Sequence, residues 1–329
     1  MKRFLFVVGF TLWMGGGIGC GSPSQGPSSG VLTTPAIPAS NTPQTPFHPL
    51  FPPSPARSVH FFTFGDWGTG DSNQKAVADA AAQICLAKVC DFGLLLGDNF
   101  YFNGVTGTAD PQWQSKYRDV YSGLNVPFYA LLGNHDWDPP ADPQAQIDYS
   151  MVDSSWHMPS GTYSFHYPVS GDSIVEIFVI NSNDFKTDTA AQSQLSFSLL
   201  ASTAPWKIVA FHHPILDNGE GHSPDEKGNY PTLKPIVCGK VDLLLSGHEH
   251  NLQHLRDVAE GCGHDQIIVG TGGQSLYDAD LTPDVSSVDV LYAEKNFGLG
   301  FFEADATSLT FRFFRTDGQE GYSYTWKKP

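Results

Sequence analysis

Polar side chains that can bind metals follow five separate apolar segments of this sequence. The segments read FTFGDWG, LLLGDNFY, ALLGNHD, IVAFHHP and LLLSGHEH. The residues in them that could ligate a metal or move a proton are Asp66, Asp98, Tyr101, Asn134, His135, His212, His248 and His250. A carboxylate such as that of Asp98 at the end of an apolar strand is costly to desolvate unless something pairs with it. The set therefore indicates a metal site.

The elements that must position these side chains alternate along the chain. The pattern predicts strands over 58–66, 92–98 and 126–134, with helices over 73–90 and 111–124 between them. This strand–helix alternation favours a layered α/β fold. The carboxyl ends of strands in such a sheet lie along one edge, where ligands usually bind. We therefore expect the five polar loops to meet.

The second half of the chain continues with strands and ends in β-rich sequence. Further strands are predicted over 163–168, 173–183, 206–214 and 241–250, helices over 189–203 and 231–239, and hairpin-like strands from 266 onward. If the strand over 241–250 continues to its end, His248 and His250 point to opposite sides. The two histidines could then serve two ions instead of one.

The charge balance excludes two classes of partner. The chain carries 18 Lys and Arg against 34 Asp and Glu, a formal net charge of −16, and it has no run rich in Lys or Arg. Nucleic acid and anionic membrane surfaces are therefore not expected as partners. A phosphate ligand would need positive charge from metal ions.

The N-terminus has the layout of an export signal over residues 1–20. Lys2 and Arg3 precede the apolar run FLFVVGFTLWM, which is too short to span a membrane comfortably, and small residues follow. Cys20 stands where a bacterial lipoprotein would be cleaved and lipidated, although Gly17 occupies a position that normally carries Leu. Lipidation and ordinary cleavage both remain open. Either way we expect an exported protein, which is periplasmic, anchored to the outer membrane or extracellular.

Residues 21–56 have the composition of an extended spacer. This stretch contains no charged residue and ten of the 24 prolines of the chain. Such a sequence cannot bury a core, so we expect a disordered linker followed by one catalytic domain over 57–329.

The four remaining cysteines suggest two disulfides, as is usual in an exported protein. Proximity along the chain favours Cys85 with Cys90 and Cys238 with Cys262.

The motifs GDWG, GDNFY, GNHD, HHP and GHEH, in this order, resemble those of the purple acid phosphatases. The resemblance is strongest to the small tartrate-resistant type, within the calcineurin-like metallophosphoesterase superfamily. It implies a four-layer α/β/β/α sandwich. Many members of the superfamily begin with Asp-x-His, whereas Asp66 is followed here by Trp67 and Gly68. Tyr101 is placed to substitute for that histidine, which favours the purple branch.

The resemblance also implies a ligand set for two metal ions. Asp66, Tyr101 and His250 would bind Fe(III), and Asp98 would bridge the two ions. Asn134, His212 and His248 would bind a divalent ion such as Fe(II), Zn or Mn. The chemistry agrees, because carboxylate and phenolate oxygens suit a hard trivalent ion and imidazole suits a borderline divalent one.

The activity implied is that of an acid phosphatase acting on small phosphate monoesters through a metal-bound hydroxide. His135 and His222 match the two histidines that assist the reaction without binding metal, and imidazolium groups suit proton delivery at acid pH. His222 lies in NGEGHSP, ten residues after His212, with slightly altered spacing.

Two other functions remain open at this point. One is a phosphodiesterase or nucleotide hydrolase with the same two metals. The other is an iron-binding or redox protein without hydrolytic activity, for which His135 and His222 would be unnecessary. Substrate choice is expected to depend on the loops NGEGHSPDEKGNY and YDADLTPDVSSVDV, whereas His213, Asp136 and Glu249 are expected to orient their neighbours or to form hydrogen bonds within loops.

Overall fold

The computed structural model describes residues 58–258, 262–279, 281–282 and 287–328. The predicted export signal, the predicted linker and Arg57, where the domain was predicted to start, lie outside the described residues. Within the described ranges, every helix is too short or too polar to cross a membrane.

The secondary structure follows the predicted alternation. The helices are α1 (Ser72–Lys88), α2 (Asp119–Tyr121), α3 (Pro143–Tyr149), α4 (Thr189–Ala201) and α5 (Tyr230–Val237), and a π-helical segment, Trp113–Arg118, leads into α2. The strands are β1 (Val59–Phe64), β2 (Phe92–Leu95), β3 (Phe128–Ala130), β4 (Trp156–His157), β5 (Tyr163–Tyr167), β6 (Val175–Val179), β7 (Trp206–Ala210), β8 (Leu243–Ser246), β9 (Leu252–Asp257), β10 (Asp265–Val269), β11 (Val288–Glu294), β12 (Gly298–Ala304), β13 (Ser308–Arg315) and β14 (Glu320–Lys327).

The strands form two mixed sheets of seven strands each. The first sheet has the order β14-β13-β12-β1-β2-β3-β4, and the second has the order β11-β9-β10-β8-β7-β6-β5. Strands β1, β2 and β3 are parallel neighbours in the first sheet, as β7 and β8 are in the second. All five predicted polar loops follow these five strands. The topology therefore places the loops at the carboxyl ends of two central groups of parallel strands.

The two sheets pack face to face, with helices on the outer surfaces. Alternation along β7 and β8 decides the faces: Ile208 and Leu245 join the large core cluster that includes the first sheet, whereas Val209 and Leu244 pack with helices α4 and α5. Helix α1 contacts β12 and β13 on the far side of the first sheet. The layer order α/β/β/α that the resemblance implied is confirmed.

Both predicted disulfides are present. Cys85 near the end of α1 bonds to Cys90 just before β2, and Cys238 at the end of α5 bonds to Cys262. The predictions from chain proximity are therefore confirmed.

The two sheets are also joined at one edge through the buried carboxylate of Asp265. Asp265 of β10 accepts hydrogen bonds from Arg256 Nε at 2.6 Å and from Trp326 Nε1 of β14 at 2.6 Å. The pKa of Asp265 lies below its usual value, because the hydrogen bonds from His254 and Arg256 outweigh the upward effect of burial. The hydrogen bond from Trp326 fixes β10 of the second sheet against β14 of the first, whereas Arg256 lies on β9, in the same sheet as Asp265.

Several sequence predictions of local structure were wrong. The helix over 111–124 is shorter and begins as a π-helix, and the elements α3, β4 and β9 were not predicted. The strand over 241–250 ends at Ser246, so His248 and His250 lie in a turn and not on opposite sides of a strand. The next residue, Gly247, packs against Asp66: a Cβ at this glycine would lie 2.7 Å from Asp66 Oδ2. The backbone N–H of His248 then donates to the same oxygen at 2.8 Å.

Candidate metal centre

One side of the site is rich in oxygen donors. Asp66, in the loop after β1, and Asp98, in the loop after β2, are buried, with 0% and 1% of their surface exposed. The Tyr101 Oη lies 2.7 Å from Asp98 Oδ2 and 3.1 Å from Asp66 Oδ1. His250 Nε2 lies 3.2 Å from the same phenol oxygen. The structure thus brings together the set predicted for the trivalent ion.

The other side is rich in imidazole. His212 Nε2 lies 3.1 Å from Asn134 Oδ1 and 3.2 Å from His248 Nδ1. Its distance to Asp98 Oδ1 is 3.3 Å. Since Asp98 also contacts Tyr101 through its other oxygen, its carboxylate lies between the two groups of donors. This is the position that a bridging ligand requires.

The tautomers of the histidines leave lone pairs facing the centre. His212 Nδ1 donates to the Leu96 carbonyl and His250 Nδ1 donates to the Ser275 carbonyl, both at 2.8 Å. Their Nε2 atoms are therefore unprotonated acceptors in the neutral rings. Acceptors at about 3 Å from one another repel unless a metal ion or a proton lies between them, so with neutral rings the donor set fits a metal.

Three of the predicted ligands have a left-handed backbone. Asp66, Asp98 and His248 have φ values of 61°, 51° and 70°. This region costs a non-glycine residue on the order of 1–3 kcal/mol and is concentrated at functional sites. Each follows a glycine in a Gly-Asp or Gly-His step at the end of a strand. The strain is consistent with backbones bent to aim side chains at one point.

Glycine before a ligand is also required for space. A Cβ at Gly133 would lie 2.1 Å from Asp98 Oδ1, and one at Gly97 would lie 2.6 Å from His212 Nδ1. Gly97 has φ 89°, a conformation that other residues rarely adopt. The motifs GDNFY and GNHD therefore contain glycine because the loops approach each other so closely.

The donors have strongly shifted proton affinities. Burial raises the pKa of Asp98, but the charge and hydrogen bond of His212 outweigh it and hold this pKa below its usual value. Burial lowers the pKa of His212, but Asp98 raises it to about 9. Burial and the charges of Asp66 and Asp98 raise the pKa of Tyr101 well above 10. The phenol therefore needs a strong Lewis acid to ionise.

The two predicted proton donors flank the centre. The Nδ1 of His135 donates to the Phe102 carbonyl at 2.7 Å, and its Nε2 lies 3.9 Å from Asp98 Oδ2. The His222 ring stacks on the His248 ring, with centroids 3.7 Å apart. Burial lowers the pKa of His222, and the negative charge of Glu226 partly offsets this decrease. Both residues lie next to predicted ligands, as the resemblance implied.

The residues expected to orient their neighbours lie behind the predicted ligands. Asp136 accepts hydrogen bonds from the backbone N–H groups of Asn99 and Gly133, and burial followed by the charge of Asp98 raises its pKa to about 7. His213 is buried, with its Nδ1 2.8 Å from Ser182 Oγ.

Glu249 supports the loop that carries His222. Its Oε1 accepts a hydrogen bond from the Gly221 N–H at 3.0 Å. Burial, with the nearby charge of Asp217, raises its pKa to about 8. The two loops that were expected to shape substrate choice also meet, because Gly219 bridges to Ala279.

Glu226 is a site residue that the sequence did not reveal. Its Oε2 lies 3.2 Å from His248 Nε2 and 3.3 Å from His222 Nδ1. It follows no apolar strand and belongs to none of the five motifs. A carboxylate four residues after a candidate proton donor was the one available signal.

Comparisons with known proteins agree with this geometry. The family model for calcineurin-like phosphoesterase matches residues 59–252. The rat (Rattus norvegicus) tartrate-resistant acid phosphatase type 5 is 33% identical over 248 residues, which cover 67% of this chain and 74% of that protein. Purple acid phosphatase 17 of Arabidopsis thaliana is 30% identical over 252 residues, covering 69% of this chain and 71% of that protein.

Solved structures share the fold. A yellow lupin (Lupinus luteus) purple acid phosphatase superposes with a TM-score of 0.64 at 17% identity, over 84% of this chain and 55% of that chain. The Plasmodium protein GAP50, described as the anchor in the inner membrane complex, gives a TM-score of 0.70 at 24% identity, over 83% and 90% of the two chains. One of these neighbours is named as an anchor, so the fold alone does not establish hydrolysis.

The matched domain, the two-sheet fold and the paired donor groups define a hydrolase of the metallophosphoesterase superfamily with a dinuclear metal site. Within this class, the chain belongs to the purple acid phosphatase family.

Proposed function

We propose that this protein is an exported acid phosphatase that hydrolyses small phosphate monoesters, with Fe(III) at one position and divalent Fe, Zn or Mn at the other. The observation that carries the proposal is the arrangement around Asp98. Its two oxygens face a phenol and an imidazole on opposite sides, 2.7 Å from Tyr101 Oη and 3.3 Å from His212 Nε2. Such a carboxylate fits two unlike metal ions that share it.

The donors divide between the two ions as the residue chemistry suggests. Asp66, Tyr101 and His250 would hold Fe(III), and Asn134, His212 and His248 would hold the divalent ion. Bound metals would supply the Lewis acidity that activates water and the positive charge that attracts phosphate.

The protein's own histidines would manage the protons. His135 is fixed by its hydrogen bond to the Phe102 carbonyl, which leaves Nε2 toward the centre. His222, on the opposite side, stacks on His248 and is half-buried. Each ring is placed to donate a proton to a phosphate oxygen or to the leaving alkoxide. A non-hydrolytic iron protein would need neither ring.

The oxidised protein is expected to absorb visible light, and Tyr101→Phe is expected to abolish this band. Charge transfer from a phenolate to Fe(III) requires the Tyr101 oxygen, and a phenol with so high a pKa ionises only on a strong Lewis acid. Metal analysis with a visible spectrum, together with a panel of phosphate monoesters and diesters, measures both parts of the proposal.

Tyr277→Phe is the matched control, because the Tyr277 ring stacks on His250 at 4.4 Å without joining the donor set. This variant should keep the band. An iron-loaded protein without colour would contradict the ligand assignment, and faster hydrolysis of diesters than of monoesters would favour the phosphodiesterase.

Export is proposed from the sequence of residues 1–20, and the two disulfides are consistent with an oxidising compartment. If Cys20 is lipidated, the mature N-terminus will carry a diacylglyceryl group and Cys20→Ser will release the protein from membranes. Mass analysis of the mature protein measures this. A free N-terminus beyond Cys20 in the unsubstituted protein would instead indicate plain secretion.

A further inference from the structure

The carboxylate of Glu226 contacts two functional histidines with one oxygen atom. Oε2 lies 3.2 Å from Nε2 of His248, a proposed ligand of the divalent ion, and 3.3 Å from Nδ1 of His222, a proposed proton donor. The two rings stack at 26° with centroids 3.7 Å apart. Glu226 therefore lies at the edge of a stacked pair, on the side of the His248 ring that faces away from His212.

The contact decides which nitrogen of His248 faces the metal. Its Nδ1 points at the imidazole of His212, at 3.2 Å from His212 Nε2. Donation from Nε2–H to Glu226 leaves this Nδ1 with a lone pair toward the centre. Carboxylates that accept from the far nitrogen of a ligating histidine fix the tautomer and the ring orientation and raise ligand basicity.

The same oxygen fixes the orientation of His222. When Nδ1–H of His222 donates to Glu226, its Nε2 becomes the atom that can reach a substrate. The loop that carries both residues, 216–229, lacks helix and strand structure apart from the bridge at Gly219. Without the carboxylate, the His222 ring would keep its stacking contact but lose the hydrogen bond that sets its rotation.

We infer that Glu226 is a positioning residue that couples the divalent metal site to the proton donor, by holding His248 and His222 through one carboxylate oxygen. This inference rests on the proposed function, because it assigns His248 to a metal and His222 to proton delivery. Lys227 Nζ, at 3.6 Å from Glu226 Oε1, holds the other oxygen and so helps to orient the carboxylate.

The test is the affinity for the divalent ion, measured on iron-loaded protein by titration with Zn²⁺ against a competing chelator. Glu226→Ala should raise the Zn²⁺ dissociation constant about 10–100-fold, the usual effect of removing such a partner. Glu226→Gln, which keeps one acceptor oxygen without the charge, should give a smaller rise. Iron content and the visible band should be unchanged, because Glu226 does not contact the oxygen-rich side.

Glu220→Ala is the matched control, since it removes an exposed acid from the same loop. It should change the dissociation constant by less than about twofold, whereas a general loss of negative charge would weaken Zn²⁺ binding equally in both variants. The side chain of Glu226 is 40% exposed, so its replacement leaves the core intact.

A second readout concerns proton delivery. Glu226→Ala should slow alkyl esters more than nitrophenyl phosphate, and adding Glu226→Ala to His222→Ala should not change the ratio of His222→Ala further, because a positioning residue acts only through the ring that it holds. Equal Zn²⁺ affinities for Glu226→Ala and Glu220→Ala would overturn the inference. Absence of a divalent ion from the unsubstituted protein would instead overturn the proposed function and this inference with it.

Discussion

Asp98→Asn is expected to remove both metal ions and to reduce the hydrolysis of every phosphate ester by about 10³-fold or more. Asp98 contacts both halves of the site with its two oxygens, Oδ2 facing Tyr101 on one side and Oδ1 facing His212 on the other. An asparagine presents one oxygen and one N–H₂ group, so it cannot bridge two cations. Paired metals stabilise the transition state by several kcal/mol, and losing this stabilisation corresponds to a rate decrease of about 10³-fold.

Metal content by elemental analysis and the melting temperature with and without chelator measure the result. Metals that bind only the native state stabilise it, so chelation should lower the melting temperature of the unsubstituted protein. The Asp98→Asn protein should melt at the same temperature with and without chelator. Asp79→Asn, which removes an exposed carboxylate from α1, should behave like the unsubstituted protein. Full metal content in the Asp98→Asn protein would show that the ions lie elsewhere.

The donor set was predictable because each donor follows a buried strand. Runs such as LLLGD and LLLSG predict strands, and five polar strand ends predict one site once the sheets are known to be parallel there. The pairing of β1 with β2 and of β7 with β8 confirms this part of the argument. The prediction of the donor set depended on the types of residues and their order along the chain, and it did not require any distance between atoms.

The conformation of the GHEH loop was not predictable from its local sequence. Residues 241–250 have strand composition, but the chain must leave the sheet at Gly247 to bring the backbone of His248 to Asp66. Asp66 is 182 positions away from His248, so a prediction from neighbouring residues does not include the contact that bends the chain here. Tertiary contact overrides the local pattern at the functional turn.

Glu226 was missed for a related reason. It lies in a stretch of polar residues without periodicity, which sequence patterns describe only as a loop. Its contact with His248 spans 22 positions and exists because the loop folds back onto the His248 ring. Positioning residues on such loops can be identified only when the three-dimensional positions of the side chains they contact are known.

His222→Ala is expected to keep the iron and the colour but to slow the hydrolysis of alkyl phosphates by about 10²–10⁴-fold, the usual effect of removing a general acid. His222 contacts His248 through its ring face and Glu226 through Nδ1, and no donor atom of His222 contacts Asp98 or Tyr101 in the part of the chain that is described. In its protonated form, Nδ1–H donates to Glu226, and Nε2–H is the proton available to a leaving oxygen.

The dependence on the leaving group separates this role from metal binding. Nitrophenyl phosphate releases a stable anion and needs little protonation, so the loss in His222→Ala should shrink with this ester. His212→Ala should instead lose the divalent ion and slow all esters alike, because His212 faces Asn134 and His248 at the centre. Rates for a series of esters with graded leaving groups, measured with metal content, distinguish the two variants. If His222→Ala slowed activated and unactivated esters equally, His222 would orient the substrate, and His135, whose Nε2 faces Asp98, would become the proposed acid.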